Sequence, residues 1–507
     1  MLLKNVPGAG VCILLAAAIS PVSASAAACE ALSSLPIAKA TITAAVPVPA
    51  TATLPAYCQV KVVAKPVDDS EIQIEIWLPP ASAWNGKYLG TGNGGYSGAL
   101  GYTDMRMAIT RGYATAGSNT GHDGGDMKFG AGHPEKIRDW AYRAVHVMTE
   151  TAKAVVRAYY ERAPAHSYFT GCSTGGHQAL MEAQRYPSDY DGIVAGDPGN
   201  NRIRLNAGFL WSWLAANRDA AHPLPASKLP LINKAVVDAC DALDGIKDGL
   251  IADPRRCRFD PGTLLCKGAD DGTCLTASEV AAVRTIYEGA RNPRTGERVF
   301  AGWARGSEAL GGRGGGWAAY FVGQPEPARS EFWRYWVFDK PDWDPRKFSF
   351  DRDLTDADRK VGFIDANDPD LTAFQKNQGK LVMYHGWADP VVPPEDGIRY
   401  YERVAQAMGG TVAVLPFFRL FMVPGMGHCG GGPGPNTFDM LAALDRWVVD
   451  GTAPEKIIAS HSTNGTVDRT RPLCPHPQIA KWSGFGSTDD AAQFVCAADE
   501  RAAAGSR

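Results

Sequence analysis

The sequence predicts an α/β fold, and three observations support this prediction. The motif G-x-S-x-G, centred on Ser173, has a short β-prone run before it and a helix-forming run after it. Two apolar strands, over residues 380–386 and 417–423, are each followed by a loop and then a helix. Those loops carry Asp389 and His428, so the serine, aspartate and histidine occur in the chain order of an α/β-hydrolase. We therefore predict an α/β-hydrolase core with a large inserted lid domain.

Length and composition agree with a large soluble enzyme. At 507 residues, the chain has room for one α/β domain with a substantial insertion. Hydrophobic residues make up 45% and charged residues 21%, which is typical of soluble globular proteins. The net charge of −3 and the short basic runs argue against nucleic acid as a partner.

The N-terminus has the features of a secretory signal peptide, which we place at residues 1–26. Lys4 supplies the positive charge, and the apolar stretch over 11–19 is too short to span a bilayer. A tract of small residues then offers cleavage near Ala26. Cleavage just before Cys29 would instead give a lipoprotein, but the residues ahead of it form a weak lipobox. We expect an exported protein, periplasmic or secreted, with no membrane segment after cleavage.

The cysteines support export. Of eleven cysteines, removal of the leader takes Cys12 and leaves ten, an even number. Eight pair naturally with a near neighbour in sequence: Cys29 with Cys58, Cys240 with Cys257, Cys266 with Cys274, and Cys474 with Cys496. Cys172 and Cys429 remain, either as buried free thiols or as a disulfide, which an oxidising compartment favours. A disulfide would hold their Cα atoms about 4.4–6.8 Å apart and bring Ser173 beside His428.

The stretch before the serine predicts the first half of the sheet. Alternating apolar and polar residues indicate antiparallel strands, whereas uninterrupted small or apolar residues indicate a buried strand. In order, we predict an extended surface segment over 36–56, strands over 59–65, 71–78, 87–89 and 112–117, and a long helix over 139–160.

A glycine-rich loop follows the strand at 87–89 and reads G-x-G-x-x-G over residues 90–95. A dinucleotide site is one interpretation of this motif, but no convincing helix follows and no acidic residue lies about 20 residues further on. In α/β-hydrolases, a loop at this position supplies a backbone N–H group to the oxyanion hole. We favour that role, with the amide of Thr174 as one donor and that of Gly94 or Gly95 as the other.

The hydrolase pattern is interrupted between residues 198 and 375. This region contains four cysteines, a glycine run and many aromatic residues. We predict a lid over 198–375, inserted between the two parts of a catalytic domain formed by 27–197 and 376–507. Most of the aromatic side chains are expected to form the core of the lid, and a minority to face a flat aromatic substrate.

The loops after the last two predicted strands carry the candidates for the other two catalytic residues. A serine hydroxyl is a poor nucleophile at neutral pH, so a histidine must accept its proton and a buried carboxylate must orient that histidine. Asp389 follows one strand and His428 follows the last strand. Asp396 and Glu395 are rivals for the carboxylate, but they belong to the helix predicted over 395–407. A closing helix is predicted over 438–449.

Taken together, these motifs resemble the tannase and feruloyl esterase family. The likeness includes the Cys-Ser pair of the elbow, the His-Cys pair at 428–429, the segments 84–86 and 190–196, and the glycine-rich loop. It covers nearly the whole mature chain, and the family's five-disulfide scheme matches the pairing given above. The resemblance implies a serine carboxylesterase that hydrolyses esters of small aromatic acids, such as ferulate, caffeate or gallate, through an acyl-enzyme and without an organic cofactor.

Other functions remain open on the sequence. A terephthalate monoester hydrolase is the alternative within the family, and a secreted serine peptidase of the same fold would use the same triad. A non-catalytic binding protein is disfavoured because all three triad members are present. The oligomeric state is not readable from the sequence.

The resemblance also implies a structural calcium ion in the lid. Asp241, Asp244 and Asp248 would supply carboxylates, and the carbonyls of Ile246 and Leu250 would complete the protein ligands. Hard oxygen donors in a tight glycine turn suit Ca²⁺, although the acidic spacing is not that of an EF-hand. Without the family, an acidic surface turn would be the simpler interpretation.

The lid is further expected to contribute the pocket that recognises the acid. The family's substrate-binding arginine has two candidates in this stretch, Arg313 and Arg334. Two aromatic residues, Trp317 and Trp333, are candidates for contact with the substrate ring.

Overall fold

We analysed a computed structural model that describes residues 1–2, 28–311 and 315–499. The signal peptide predicted at 1–26, except for its first two residues, and Arg313 lie outside the described residues. Within the described ranges, no helix combines the length and the apolar character needed to cross a membrane.

A nine-stranded mixed sheet forms the centre of the molecule, with the strand order β1-β2-β3-β5-β4-β6-β7-β8-β9. The strands β1, β2, β3 and β5 pair antiparallel, and the pairs from β5–β4 to β8–β9 are parallel. The strands are β1 (Ala40–Val48), β2 (Tyr57–Ala64), β3 (Ile72–Leu78), β4 (Lys87–Thr91), β5 (Ala114–Ser118), β6 (His166–Cys172), β7 (Gly192–Gly196), β8 (Lys380–Gly386) and β9 (Phe418–Val423).

Two antiparallel hairpins follow the large sheet. They are formed by β10 (Ile457–Thr463) with β11 (Thr466–Leu473), and by β12 (Gln478–Trp482) with β13 (Phe494–Ala498). The helices are α1 (Tyr102–Thr110), α2 (Pro134–Arg138), α3 (Ala144–Tyr160), α4 (Thr174–Arg185), α5 (Arg202–Ala216), α6 (Leu229–Cys240), α7 (Ala277–Glu288), α8 (Gly316–Tyr320), α9 (Arg352–Val361), α10 (Thr372–Lys376), α11 (Pro394–Ala407), α12 (Thr411–Val414) and α13 (Met440–Asp450).

The parallel half of the sheet determines where the site lies. In the register of β6, β7 and β8, Cys172 is opposite Gly196 and Gly196 is opposite Tyr384, while Gly386 is opposite Val423 of β9. The carboxyl ends of four neighbouring strands therefore reach one edge. Ligands of open α/β sheets bind at this edge, in the loops that follow the strands.

The stretch between β7 and β8 contributes no strand to the described sheet. It contains α5 to α10 and has a core of its own, rich in tryptophan and phenylalanine. Tyr96 and Trp140 from the sheet domain are part of this second core. The insertion thus packs directly over the loops that follow β4 and β5.

Most predicted strands and helices overlap those of the structure, but no convincing helix was expected after the glycine-rich loop, where α1 lies, and the hairpins β10–β11 and β12–β13 were not predicted. Two further elements differ from the prediction. The segment predicted to run extended over the surface at 36–56 contains β1, which pairs antiparallel with β2. Its alternation is weak because an edge strand is only partly buried, and proline at Pro47 is tolerated there. The helix predicted over 139–160 begins with a π-helical turn at Asp139–Arg143, and α3 follows it.

Candidate active site

Ser173 sits on a strained turn between β6 and α4. Its φ of +64° lies in the left-handed region, which a residue with a side chain rarely adopts. The turn is compact, because a Cβ atom added at Gly171 would lie 2.6 Å from Gly175. The backbone N–H of Ser173 donates to the carbonyl of Gly196 at 2.9 Å, which fixes the turn against β7. This is the geometry of a nucleophile elbow.

His428 and Asp389 form a buried pair at the same edge. His428 Nδ1 lies 2.7 Å from Asp389 Oδ2, and the two side chains are 5% and 0% exposed. The other oxygen, Asp389 Oδ1, accepts the backbone N–H groups of Val391 and Val392 at 2.8 and 2.9 Å. With Nδ1 donating to the carboxylate, Nε2 of the imidazole is left to accept a proton.

The charge on Asp389 is maintained despite its burial. Burial alone would raise the pKa of Asp389, but His428 and His385 lower it below its ordinary value. His385 Nε2 lies 3.3 Å from Asp389 Oδ2 and 3.0 Å from the carbonyl oxygen of Val392. Burial also opposes protonation of His385, but its contacts with Asp389 and Asp197 raise its pKa. Asp389 is therefore ionised at neutral pH.

A disulfide links the residues beside the nucleophile and the histidine. The Sγ atoms of Cys172 and Cys429 are 2.05 Å apart and their Cα atoms are 5.9 Å apart, within the range for a disulfide. Ser173 follows one cysteine and His428 precedes the other. Among the described contacts, the Ser173 hydroxyl makes no hydrogen bond to His428, and such bonds often tighten only when substrate binds.

The remaining cysteines also lie in the predicted pairs. Their Cα atoms are 5.6 Å apart for Cys29–Cys58, 5.4 Å for Cys240–Cys257, 5.0 Å for Cys266–Cys274 and 5.5 Å for Cys474–Cys496.

The proposed oxyanion donors are close to one another. Thr174 is the first residue of α4, where backbone N–H groups have no partner within the helix. Its hydroxyl donates to the carbonyl of Gly95 at 2.7 Å, which ties the elbow to the glycine-rich loop. A Cβ atom added at Gly94 or Gly95 would meet nothing within 4 Å, so this loop borders open space.

Arg202, which the sequence did not predict, contacts both the elbow and the residue that follows the glycine-rich loop. Its guanidinium donates to Thr174 Oγ1 at 2.7 Å and lies over the rings of Tyr96 and Trp140, at 5.9 and 5.4 Å from their centroids. Burial lowers the pKa of Arg202 to about 10, and the side chain is charged at neutral pH. No local motif marks this arginine, because its contacts come from distant parts of the chain.

Three of the four predicted substrate-contacting residues lie within the described residues, and the hydrogen bonds, ion pairs and ring contacts of these three are made within the insertion. Arg334 forms an ion pair with Glu326 at 2.9 Å. Trp317 and Trp333 are 0% and 1% exposed and belong to the core of the insertion. Their burial is explained by packing, and Arg313 lies outside the described residues.

A different arginine of the insertion faces the glycine-rich loop. The guanidinium of Arg329 lies 5.3 Å from the ring of Tyr96, which directly follows Gly95, and 5.1 Å from the ring of Phe209. Its Nη1 is buried and has no hydrogen-bond partner among the described residues. A buried guanidinium nitrogen without an acceptor is well placed to bind an anionic group of a ligand.

The acidic loop after α6 is tightly folded around one carboxylate. Asp241 Oδ1 accepts the backbone N–H groups of residues 248–250 at 3.0 to 3.2 Å. Asp248 pairs with Arg471 at 2.8 Å, and both side chains are 3% exposed. Burial raises the pKa of Asp244, and the nearby charge of Asp248 adds to this effect.

The donor chemistry of this loop fits a hard cation. Three carboxylates and the neighbouring carbonyls are oxygen donors, the ligand type that Ca²⁺ prefers. Within the described residues, the three carboxylate groups do not all come within 4.8 Å of one another. Binding of Ca²⁺ would therefore require a change of side-chain rotamer in the loop.

Comparisons with known proteins agree on one family. A family model for tannase and feruloyl esterase matches residues 58–497. An uncharacterized esterase of Xanthomonas campestris is 40% identical over 96% of this chain and 94% of its own length. A mono(2-hydroxyethyl) terephthalate hydrolase of Piscinibacter sakaiensis is 35% identical over 89% of this chain and 87% of its own. The crystal structure of feruloyl esterase B from Aspergillus oryzae superposes with a TM-score of 0.85 at 30% identity, covering 92% of this chain and 99% of that one.

Proposed function

Because the chain belongs to the tannase and feruloyl esterase family, whose members are carboxylic ester hydrolases, we propose that it is an exported serine esterase for aromatic acid esters. The observation that carries this proposal is the arrangement at the sheet edge. A buried His428–Asp389 pair is tethered by the Cys172–Cys429 disulfide beside the strained Ser173 turn.

The reaction follows from the roles of these groups. The Ser173 hydroxyl attacks the ester carbonyl while His428 Nε2 takes its proton, and Asp389 stabilises the resulting imidazolium. The amides of Thr174 and of Gly94 or Gly95 bind the developing oxyanion. The alcohol then leaves with the proton from His428, which yields an acyl-enzyme. Water attacks this acyl-enzyme by the same route in reverse and releases the acid.

The substrate class rests on the relatives. Relatives are named feruloyl esterase B, and one is named for terephthalate monoester hydrolysis. Tyr96, directly after the glycine-rich loop, stacks on Trp140 with ring centroids 4.5 Å apart, and both rings are buried in the core of the insertion. The names of the relatives therefore carry the assignment to a ferulate, caffeate or gallate ester.

A terephthalate monoester is the second candidate, and Arg329 is the observation that favours it. This substrate carries a free carboxylate on the ring, opposite the scissile ester. A charged guanidinium with an unpartnered Nη1 beside Tyr96 could bind that carboxylate. Feruloyl and galloyl esters have no such group.

A hydrolysis panel tests these assignments. We expect cleavage of at least one of methyl ferulate, methyl gallate, chlorogenate and the terephthalate monoester, with loss of activity in Ser173→Ala. Turnover of peptides without turnover of any of these esters would identify a peptidase instead. Full esterase activity in Ser173→Ala would contradict the proposed mechanism.

Export and calcium binding are parts of the same proposal. Five cysteine pairs at disulfide distance agree with an oxidising compartment, periplasmic or extracellular. Asp241, Asp244 and Asp248, with the carbonyls of Ile246 and Leu250, would hold Ca²⁺. There the ion would neutralise the loop's buried carboxylates and stabilise the fold, without taking part in ester cleavage.

A further inference from the structure

Asp197 follows β7 at the edge that carries the triad, and its side chain is completely buried. Its φ of +35° is in the left-handed region. Asp197 Oδ1 accepts the backbone N–H of Gly386 at 2.7 Å, and Oδ2 accepts that of Cys429 at 3.0 Å. Gly386 ends the strand that leads to Asp389, and Cys429 directly follows His428. One carboxylate thus joins the two loops that hold the acid and the base.

The same carboxylate is close to the nucleophile's turn. Asp197 Oδ2 lies 3.4 Å from Cys172 Sγ, which has no proton to donate because it is part of a disulfide. The preceding residue, Gly196, accepts the backbone N–H of Ser173 at 2.9 Å. Asp197 and its neighbour Gly196 therefore accept hydrogen bonds from the backbone of Ser173, of the residue after His428 and of the residue three positions before Asp389.

The charges around Asp197 come from the catalytic network itself. His385 Nε2 lies 3.8 Å from Asp197 Oδ1, and His428 and Asp389 also act on this carboxylate. Asp396 on α11 also interacts electrostatically with His385. Within the described residues, no lysine or arginine forms an ion pair with Asp197. Burial raises the pKa of Asp197 to about 6, and the carboxyl is ionised at neutral pH.

The left-handed backbone alone does not require an aspartate at this position. Asparagine adopts left-handed backbone readily and carries no charge to bury. However, its amide has only one acceptor oxygen, whereas two N–H groups here bind two separate oxygens. A strained, buried carboxylate whose charged neighbours are His385, His428 and Asp389 of the reactive site supports an inference of function.

We propose that Asp197 is a positioning residue: its carboxylate clamps the His428 loop to the end of β8, and its negative charge favours the imidazolium formed when Ser173 loses its proton. The inference rests on the proposed function, because it assigns Asp197 a role in the same site. Asp197 acts through His428 and does not touch the substrate.

The first test is Asp197→Asn, with Glu182→Gln as the control for replacing a buried acid by its amide outside the triad network. Glu182 is also a buried acid, 1% exposed, but it lies within α4 and outside the triad network. We expect kcat of Asp197→Asn to fall about tenfold to a hundredfold, because small displacements of a base are costly. KM should stay within about twofold. The acid limb of kcat/KM should move to lower pH by about 0.5 to 1 unit, because a negative charge beside the base is lost.

If Asp197 had only a structural role, Asp197→Asn would lower the yield or the melting temperature but would not move the acid limb of the kcat/KM profile. The inference is overturned if folded Asp197→Asn keeps both the wild-type kcat and the wild-type limb, or if Glu182→Gln shows the same limb shift.

A second measurement uses the wild-type chain and does not depend on activity or on folding of the variant. In hydrogen exchange, peptides that contain Gly386 and Cys429 should be protected at pH 7. After correction for intrinsic rates, protection of at least one of them should fall as the pH drops below about 6, where Asp197 takes up a proton and one of its two oxygens becomes a hydroxyl, a weaker acceptor. Absence of protection at Gly386 and Cys429 at pH 7, or protection of both that does not change with pH, overturns the clamp. If the wild type cleaves no ester of the panel, the proposed function fails while the exchange result still decides the clamp.

Discussion

Removal of the Cys172–Cys429 disulfide should reduce activity and stability together. The change is the double variant Cys172→Ala/Cys429→Ala, produced in an oxidising compartment so that the other four pairs form. This disulfide closes a loop of 257 residues, and the chain-entropy relation gives about 5.6 kcal/mol for a loop of that length. Measured disulfides usually contribute about 2–4 kcal/mol, so we expect a loss of unfolding free energy in that range.

A matched control separates stability from catalysis. Cys29 and Cys58 close a loop of 29 residues in the first strands of the sheet, for which the same relation gives about 3.6 kcal/mol. The variant Cys29→Ala/Cys58→Ala should also lose unfolding free energy within the measured range of about 2–4 kcal/mol. Its kcat should remain that of the wild type, because this pair lies far from the triad in the sheet.

Only the pair beside the triad should affect the chemistry. Without the tether, His428 and Ser173 depend on backbone contacts for their alignment, and we expect kcat to fall about tenfold to a hundredfold. Steady-state kinetics at 25 °C, where both variants are folded by circular dichroism, provide the assay. The reasoning is refuted if both double variants keep wild-type kcat, or if both lose it equally.

Three further predictions concern calcium, the lid and pH. Calcium at 1 mM should raise the melting temperature of the wild type by a few degrees and leave that of Asp241→Asn unchanged. Differential scanning fluorimetry measures both temperatures, and equal shifts in the two proteins would argue against the site. Arg329→Leu should raise KM about tenfold for the terephthalate monoester and leave KM for methyl ferulate unchanged; equal effects on both esters would contradict carboxylate binding. Burial raises the pKa of Asp365 to about 7 in the folded protein, above its value of about 4 in the unfolded chain. The free energy of unfolding therefore falls as the pH rises from about 4 to 7, because the unfolded chain loses this proton first. Asp365→Asn keeps an acceptor for the N–H of Ile203. In urea unfolding, this variant should be more stable than the wild type at pH 8 but not at pH 4. A difference in stability that does not change with pH would refute this.

The parts of the site that the sequence predicted are those that belong to short motifs of neighbouring residues. Ser173, Asp389 and His428 each follow a recognisable strand, and the cysteines beside Ser173 and His428 indicate that these two residues are neighbours in the fold. The glycine-rich loop is predicted to supply an oxyanion donor because its glycines leave room beside the backbone amides. These signals depend on neighbours in the chain, which a sequence displays directly.

The residues that the sequence did not predict act through contacts between distant segments. Asp197 resembles any turn residue until its oxygens are seen to bind Gly386 and Cys429. Arg202 lies on a helix whose sequence gives no sign that its guanidinium reaches Thr174. Arg329, rather than Arg334, faces Tyr96 because the fold of the insertion determines which arginine points inward.

The central claim is that Ser173 is the nucleophile of an esterase, and covalent labelling tests it most directly. The wild type would be incubated with a fluorophosphonate, and the intact mass and the digested peptides would then be measured. We predict a single adduct, located on Ser173, loss of ester hydrolysis in proportion to labelling, and no adduct in Ser173→Ala. Labelling at another residue, or complete labelling that leaves hydrolysis intact, would contradict the account.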